Sequence, residues 1–258
     1  MTTPSSLADT TSSPSITVSD EGPVQFRSDM TVELVRASAQ DADVLFAARV
    51  STLGEQSLDE VGGDAERSAG LIRYLMRDRH GSPFEHNSMT FYVQAPIFVF
   101  REFMRHRIAS YNEESGRYRE LRPVFYVPSP DRKLVQEGKP GHYLFVDGTV
   151  EQHATVVEQT KNACTVAYQA YQQMLAAGVA REVARGVLPV ATFSSMYVTM
   201  NARSLMNFLS LRTKREGSAY PSFPQREIEM VAEQMERFWA ELMPVTHAAF
   251  EECGRVSP

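Results

Sequence analysis

The chain has 258 residues, of which 43% are hydrophobic and 22% are charged, which are ordinary values for a soluble globular protein. Its formal net charge of -6 disfavours nonspecific binding to nucleic acid, because such binders are usually basic, and no run of 18 apolar residues predicts a membrane span. The two cysteines, Cys164 and Cys253, match neither a disulfide framework nor a metal-ligand spacing, so we expect no metal site and a reducing, cytoplasmic location.

The N-terminal stretch is rich in serine and threonine, with eleven of them in residues 1–20. It lacks the charged start and the apolar stretch of a signal peptide. We therefore expect a disordered tail over residues 1–29 and one domain over residues 30–258.

Hydrophobic periodicity and capping residues predict the elements that follow the tail. Asp41 is a possible helix cap, Pro96 opens a helix, and Thr149 and Gly178 bracket a long one. In chain order we expect strands over 32–35, 90–94 and 124–127, and helices over 41–50, 65–78, 149–177, 180–187, 201–212 and 227–243. Separated strands and long helices without regular βαβ alternation predict an α+β fold, with a mixed or antiparallel sheet packed against long helices in a single domain.

The stretch from Arg101 to Arg122 concentrates six arginines, four glutamates and one histidine directly after an apolar run. It has no strong apolar period, as expected of the lining of a polar pocket. Guanidinium groups and hydroxyls match phosphate oxygens, and Gly116 allows the backbone to approach a ligand. The alternative is a surface turn held by salt bridges.

A second polar set lies downstream. Arg181 and Arg185 are one helical turn apart, and Arg203 and Asn207 share a helix face. Asparagine side chains at such a boundary can bind the edge of a heteroaromatic ring. Helix capping and surface pairing are the alternative interpretation.

Four segments together resemble one enzyme family. RHRIASYNEESGR (105–117) is similar to the RHRxxSxxxxSxR signature of flavin-dependent thymidylate synthases, with every fixed position present. HGSPFEH (80–86), AREVAR (180–185) and NARSLMNFLSLR (201–212) resemble other segments of that family in the expected order. The resemblance covers roughly residues 32–250 and implies the conversion of dUMP to dTMP. In this reaction, 5,10-methylenetetrahydrofolate donates the carbon and FAD reduced by NADPH supplies the hydride.

The resemblance also implies residue roles and an assembly. The residues expected to hold FAD are Ser82, Arg105, His106, Arg107, Glu113, Asn201, Arg203 and Asn207. Those expected to hold dUMP are Glu102, Arg105, Glu113, Ser115, Gly116, Arg117, Arg185 and Arg212. Arg212 is the expected catalytic residue, which binds the uracil ring and favours ionisation at N3, and His80 is expected to line the flavin and folate pocket. The family works as a homotetramer with active sites between subunits.

Two departures from the family pattern concern the expected site. Glu102 stands where members often have Gln, and the loop over residues 213–226 is longer than expected and begins beside Arg212. We expect no enzyme nucleophile, because neither cysteine lies in the signature and Ser115 is assigned to nucleotide binding.

Two other functions are compatible with parts of the sequence. An RNA-binding module could use the arginines with Tyr111, Tyr118 and Tyr126, but it would need a net basic face. Another class of flavoenzyme is possible, although no GxGxxG follows a strand, so a Rossmann-type FAD site is not indicated.

Overall fold

The structure is a computed structural model that describes residues 24–54, 65–139 and 142–258. Four strands form its central sheet. They are β2 (Thr31–Ser38), β3 (Ser88–Pro96), β8 (Phe193–Met200) and β4 (Ser110–Glu113), in the spatial order β2-β3-β8-β4. All three pairings are antiparallel. Elsewhere, β1 (Gln25–Arg27) pairs in parallel with β5 (Val124–Tyr126), and β6 (Val135–Lys139) forms a hairpin with β7 (His142–Val146).

Helices make up most of the rest of the described chain. They are α1 (Asp41–Leu53), α2 (Ala65–Arg77), α3 (Ile97–Phe103), α4 (Val150–Ala176), α5 (Arg181–Ala184), α6 (Ala202–Arg212), α7 (Arg226–Leu242) and α8 (Pro244–Glu252), with 3-10 turns at Ser82–Glu85 and Arg185–Val187. The α+β prediction is confirmed. Within the described ranges, no helix combines the length and the apolar character that a bilayer crossing requires.

The main core lies against one face of the sheet. Side chains alternate between the two faces of a strand, and in β3 the residues Met89, Phe91 and Val93 are fully buried. They belong to the same cluster as Phe208 of α6 and Trp239 of α7. The main core therefore joins α6 and α7 to the central sheet.

A second, smaller core lies under the long helix α4. Phe125 of β5 joins Phe26 of β1 and Tyr171 of α4 in this cluster, whereas the next residue, Tyr126, belongs to the main core. Because neighbouring strand residues point to opposite sides, the three-residue strand β5 contributes to both cores.

The structure corrects the predicted boundary of the tail. Val24 and Phe26 are buried, and β1 pairs with a strand a hundred residues away. Residues 24–29 therefore belong to the folded part, and residues 1–23 lie outside the described ranges. Three residues carry too short a pattern to predict a strand whose partner is so distant.

The N-terminus of α1 also differs from the prediction. Asp41 is the first residue of the helix, and Gln40 precedes it as the cap. The Asp41 carboxylate instead accepts hydrogen bonds from the backbone N–H groups of Val245 (3.0 Å) and Thr246 (2.8 Å) at the start of α8. It therefore binds the first N–H groups of a different helix.

Candidate active site

The end of α3 and the end of α6 meet at an aromatic stack. The rings of Phe103 and Phe208 lie 4.8 Å apart and nearly parallel, and the His106 ring meets Phe208 edge-on at 4.9 Å. Aromatic pairs in these arrangements attract beyond their buried area. The stack fixes His106, three residues beyond α3, against the helix that carries Arg212.

Arg212 is the last residue of α6, and two side chains hold its guanidinium group. Its Nε donates a hydrogen bond to Nε2 of His106 at 3.1 Å. Its Nη1 forms an ion pair with Glu102, a residue of α3. Arg212 and Glu102 are both largely shielded from solvent, at 19% and 23% side-chain exposure. The predicted nucleotide-binding residues Glu102 and Arg212 are thus in contact. The predicted FAD-binding residue His106 contacts Arg212 as well.

Burial determines the charge of these groups. Burial, with a smaller contribution from Arg212, lowers the pKa of His106 to about 4. The imidazole is therefore neutral near pH 7, and because Nε2 accepts from Arg212, its hydrogen is on Nδ1. Burial raises the pKa of Glu102, and Arg212 opposes that rise.

A cleft of about 500 Å³ opens beside this group. Its lining contains four arginines and one carboxylate side chain, that of Glu85. The lining residues are Glu85, Arg105, His106, Arg107, Ile108, Arg203, Ser204, Asn207, Leu211, Arg212, Ser257 and Pro258. The cleft therefore brings together five of the eight predicted FAD residues: Arg105, His106, Arg107, Arg203 and Asn207.

The HGSPFEH segment contacts the cleft through Arg203. A Cβ atom at Gly81 would lie 2.5 Å from Cζ of Arg203, so a larger residue here would force this guanidinium group to shift. Arg203 also pairs with Glu85 and donates from Nε to the main-chain oxygen of Pro258 at 2.7 Å. Glu85 is a lining residue that the sequence reasoning missed, although it lies within a segment already singled out.

Asn201, His80 and Ser82 are among the predicted site residues that do not line this cleft. Asn201 caps α6, with its side-chain oxygen accepting from the Ser204 N–H at 2.9 Å. His80 is exposed and stacks on Tyr74 at 5.7 Å. Ser82 is exposed at the start of the 3-10 turn. For Asn201 the structure thus contains the capping interaction that the sequence left as an alternative.

A second group contains the other predicted nucleotide residues. A Cβ at Gly116 would lie 3.2 Å from Cδ of Arg185, so this glycine and this arginine are in close contact. Arg117 forms a half-exposed ion pair with Glu182 at 2.6 Å, and its N–H donates to the Ser115 hydroxyl at 3.2 Å. None of these residues lines the 500 Å³ cleft.

Glu113 lies in this second group, at the end of β4. Burial raises its pKa, and the Ser194 hydroxyl and Arg185 oppose that rise. Ser194 is itself buried, and its hydroxyl lies near the Glu113 carboxylate without making a hydrogen bond of normal length and angle in the described chain. The sequence reasoning missed Ser194 because it missed strand β8, and the signal available was the alternation of Met196, Val198 and Met200.

Neither cysteine is poised to react as a thiolate. Burial in the second core raises the pKa of Cys164 to about 11. Burial also raises the pKa of Cys253, despite two nearby arginines. Both side chains are unpaired thiols that stay protonated at neutral pH.

The long loop after Arg212 is attached to its surroundings. The Ser222 hydroxyl donates to the Thr213 carbonyl oxygen at 2.5 Å, and the Ala219 N–H donates to the Gly254 carbonyl oxygen at 2.9 Å. With Arg212 and Leu211, the loop residues Tyr220 and Phe223 line a separate cavity of about 350 Å³. Arg212 thus stands between two cavities.

Comparison with known protein families finds one match that spans most of the chain. The model of the family described as thymidylate synthase complementing protein matches residues 33–245. This range contains every predicted site residue.

Individual relatives agree with the family match. A flavin-dependent thymidylate synthase of Streptomyces coelicolor is 69% identical over 240 residues, which cover 93% of this chain and 98% of that protein. One from Tropheryma whipplei is 60% identical over 233 residues, covering 90% and 97%. Among solved structures, the UMP/dUMP methylase PolB from Streptomyces cacaoi, bound with 5-Br dUMP, is 60% identical. It superimposes with a TM-score of 0.86 and covers 91% of this chain and all of that one.

Proposed function

Because the chain belongs to the flavin-dependent thymidylate synthases, we propose that it methylates dUMP to dTMP with carbon from 5,10-methylenetetrahydrofolate and reducing equivalents from NADPH. One observation carries the proposal at the level of residues. Arg212 is held by Glu102 and a neutral His106 at the edge of a cleft lined by four arginines. A fixed cation of this kind suits a reaction in which negative charge develops on a uracil ring.

The donor set of the cleft fits FAD. Guanidinium groups bind phosphate oxygens through paired N–H donors, and the cleft offers Arg105, Arg107 and Arg203 against one carboxylate side chain. Asn207 provides an amide that can donate to or accept from a ring edge. When bound, the flavin supplies the hydride that completes the methyl group.

Arg212 acts on the uracil ring in this proposal. The contacts from Glu102 and His106 fix the direction of its guanidinium group before substrate arrives. Such preorganisation lets it stabilise the anion at N3 without rearranging during the reaction. The residues of the second group, Ser115, Gly116, Arg117 and Arg185, hold the nucleotide, with the arginines on the phosphate.

The separation of the two groups supports an assembly. Within one chain, Arg117 and Arg185 do not line the cleft that contains Arg203 and Asn207. A homotetramer with active sites between subunits would let one chain supply the phosphate contacts and another the flavin contacts. We place the enzyme in the cytoplasm, where its unpaired thiols would remain reduced.

The proposed reaction uses no enzyme nucleophile. A cysteine that attacked C6 of uracil would need to be a thiolate. The raised pKa values of Cys164 and Cys253 favour the protonated thiol in both cases. Charge stabilisation by Arg212 takes the place of covalent activation.

The absorbance spectrum of the purified protein is the first test, and flavin bands are expected. The second is tritium release from dUMP labelled at C5, measured with each co-substrate omitted in turn. Release that depends on both NADPH and the folate supports the proposal, and no release from a flavin-loaded protein would refute it. UMP belongs in the same assay, because the solved neighbour is described as a UMP/dUMP methylase.

A further inference from the structure

The residue after Arg212 is unusually well anchored. Thr213 is 2% exposed and caps the C-terminus of α6. Its hydroxyl donates to the Leu209 carbonyl oxygen at 2.7 Å, one turn back in the helix. The same hydroxyl accepts a hydrogen bond from Nη2 of Arg255 at 2.8 Å.

Arg255 is a buried cation outside the cleft. It is 3% exposed, and its Nη1 donates to Oε1 of Glu236 at 2.7 Å. It also pairs with Glu251, and its guanidinium group lies over the Phe250 ring at 5.0 Å. A guanidinium group held on several sides is a rigid support, because its planar fork has few alternative arrangements.

The backbone directs Arg255 under the end of α6. Gly254 and Arg255 both have left-handed conformations, with φ of 71° and 57°. This conformation is uncommon for a residue other than glycine, and here the side-chain contacts hold it in place. The turn brings a residue that follows α8 against Thr213, which is 42 positions earlier in the chain.

We propose that Arg255 is a positioning residue for Arg212, acting through the hydroxyl of Thr213. Glu102 and His106 hold the guanidinium end of Arg212, while Arg255 and Thr213 fix the backbone from which that side chain starts. The inference rests on the proposed function of Arg212 in binding the uracil ring. Arg255 lies beyond the region that the family model matches, residues 33–245.

Thr213→Val tests this coupling with little change of shape, because valine replaces the hydroxyl by a methyl group. Two quantities are measured. The Kd for dUMP comes from the change in flavin absorbance of the FAD-loaded protein, and kcat comes from tritium release. We expect dUMP to bind roughly tenfold more weakly, with FAD content unchanged. Thr213→Ser keeps the hydroxyl and should restore binding to within about twofold of the wild type. These ranges correspond to the loss of one hydrogen bond to a charged group.

A double variant separates positioning from general destabilisation. If Thr213 acts through Arg212, then Thr213→Val should change the Kd for dUMP less than about twofold in an Arg212→Ala background. An equal loss in both backgrounds, or no loss in the wild-type background, would overturn the proposal. Thr155→Val is the matched control, since the Thr155 hydroxyl makes the same bond to a carbonyl four residues back, at Glu151, in α4.

Arg255→Lys provides a second route if the valine variant does not fold. Lysine retains the charge beside Glu236 but loses the fork that also reaches Thr213. The same coupling to Arg212→Ala is expected, and its absence would overturn the inference. The single variant Arg212→Ala separates the positioning role of Arg255 from the proposed function of Arg212. If Arg212→Ala binds dUMP as the wild type does, the proposed role of Arg212 is refuted as well. A normal Arg212 effect without coupling would refute only the positioning role.

Discussion

Nε of Arg212 lies 3.1 Å from Nε2 of His106, with the arginine as the donor. Arginine cannot accept a hydrogen bond, so this contact requires an unprotonated Nε2 on the histidine. Protonation of the ring would place two cations against each other in a buried position. The pKa of His106 is about 4, so the hydrogen bond from Arg212 to His106 is lost when the pH falls low enough to protonate the ring.

This link predicts a stability difference in acid. The pKa of His106 is lowered from 6.5 to about 4, so between these values the unfolded chain binds a proton that the folded chain does not. Stability from His106 is then complete above pH 6.5 and is lost as the pH falls towards 4. Between pH 6.5 and pH 4, the free energy of unfolding falls by on the order of 3 kcal/mol because of His106. A His106→Gln variant should lose correspondingly less stability between pH 7 and pH 4.5 than the wild type.

Urea unfolding at the two pH values measures this difference. Comparing the wild type with His106→Gln removes the contributions of the other titrating groups, which both proteins share. Parallel pH profiles for the two proteins would contradict the low pKa of His106.

Arg117→Ala is expected to weaken dUMP binding roughly ten- to hundredfold while flavin content stays intact. A charge-assisted hydrogen bond to phosphate is worth about 1.5–3 kcal/mol. Because Arg117 pairs with Glu182, Glu182→Gln is the matched control: it breaks the ion pair but keeps the guanidinium group. Titration of dUMP by flavin absorbance should show a loss for Arg117→Ala only. Equal effects in both variants would make Arg117 a surface salt-bridge residue.

Arg203→Ala and Asn207→Ala should both lower FAD occupancy. Both side chains line the cleft, but Asn207 is exposed there while Arg203 also contacts Glu85 and Pro258. Asn207→Ala is thus the cleaner test, and Glu85→Gln controls for the lost ion pair of Arg203. The readout is the flavin-to-protein ratio after purification. A full ratio and unaltered flavin affinity in both alanine variants would mean that this helix face does not bind FAD.

A cysteine-free protein should retain most of its turnover. Cys164→Ala removes a sulfur from the second core, so a modest loss of stability is expected, and Cys253→Ala should cost less. Arg212→Ala should lose far more activity while still folding and binding FAD. If the double cysteine variant binds both ligands normally yet forms no thymidylate, the mechanism without an enzyme nucleophile is wrong.

Removal of residues 1–29, the range that the sequence predicted as a disordered tail, is expected to destabilise the protein. The deletion takes away β1 together with Val24 and Phe26, which are 6% and 7% exposed. Burial of two such side chains contributes about 3–6 kcal/mol. A chain that starts at residue 24 is the control, and it should melt near the wild-type temperature. Equal melting temperatures for the two truncated chains would show that β1 contributes little.

The sequence predicted the helices that have complete signals. For α4, the Thr149 cap and Gly178 beyond its end define the bounds almost to the residue. The same holds for α6, which Asn201 caps. Local patterns suffice here because helix bonds and helix caps join residues that are close in the chain.

Strands were harder to predict, and the site shows why. β8 is the strand between β3 and β4, yet its sequence mixes serines with Met196, Val198 and Met200, and its partners lie about a hundred residues upstream. Short β4 lies inside the polar signature, where no apolar pattern marks it. The motifs indicated which side chains matter, but not that Arg212 would touch His106, since that contact depends on how α3 and α6 pack.

The two hydrophobic cores have a consequence for how the molecule opens. α4, β1 and β5 form the smaller core, while α3, α6 and β8 belong to the larger one. Cooperative units of unequal size open with unequal free energies. Amide hydrogens along α4 should therefore exchange with deuterium through partial openings that leave α6 closed. In such a partial opening, α4 unfolds transiently while Arg212, Glu102 and His106 keep their arrangement.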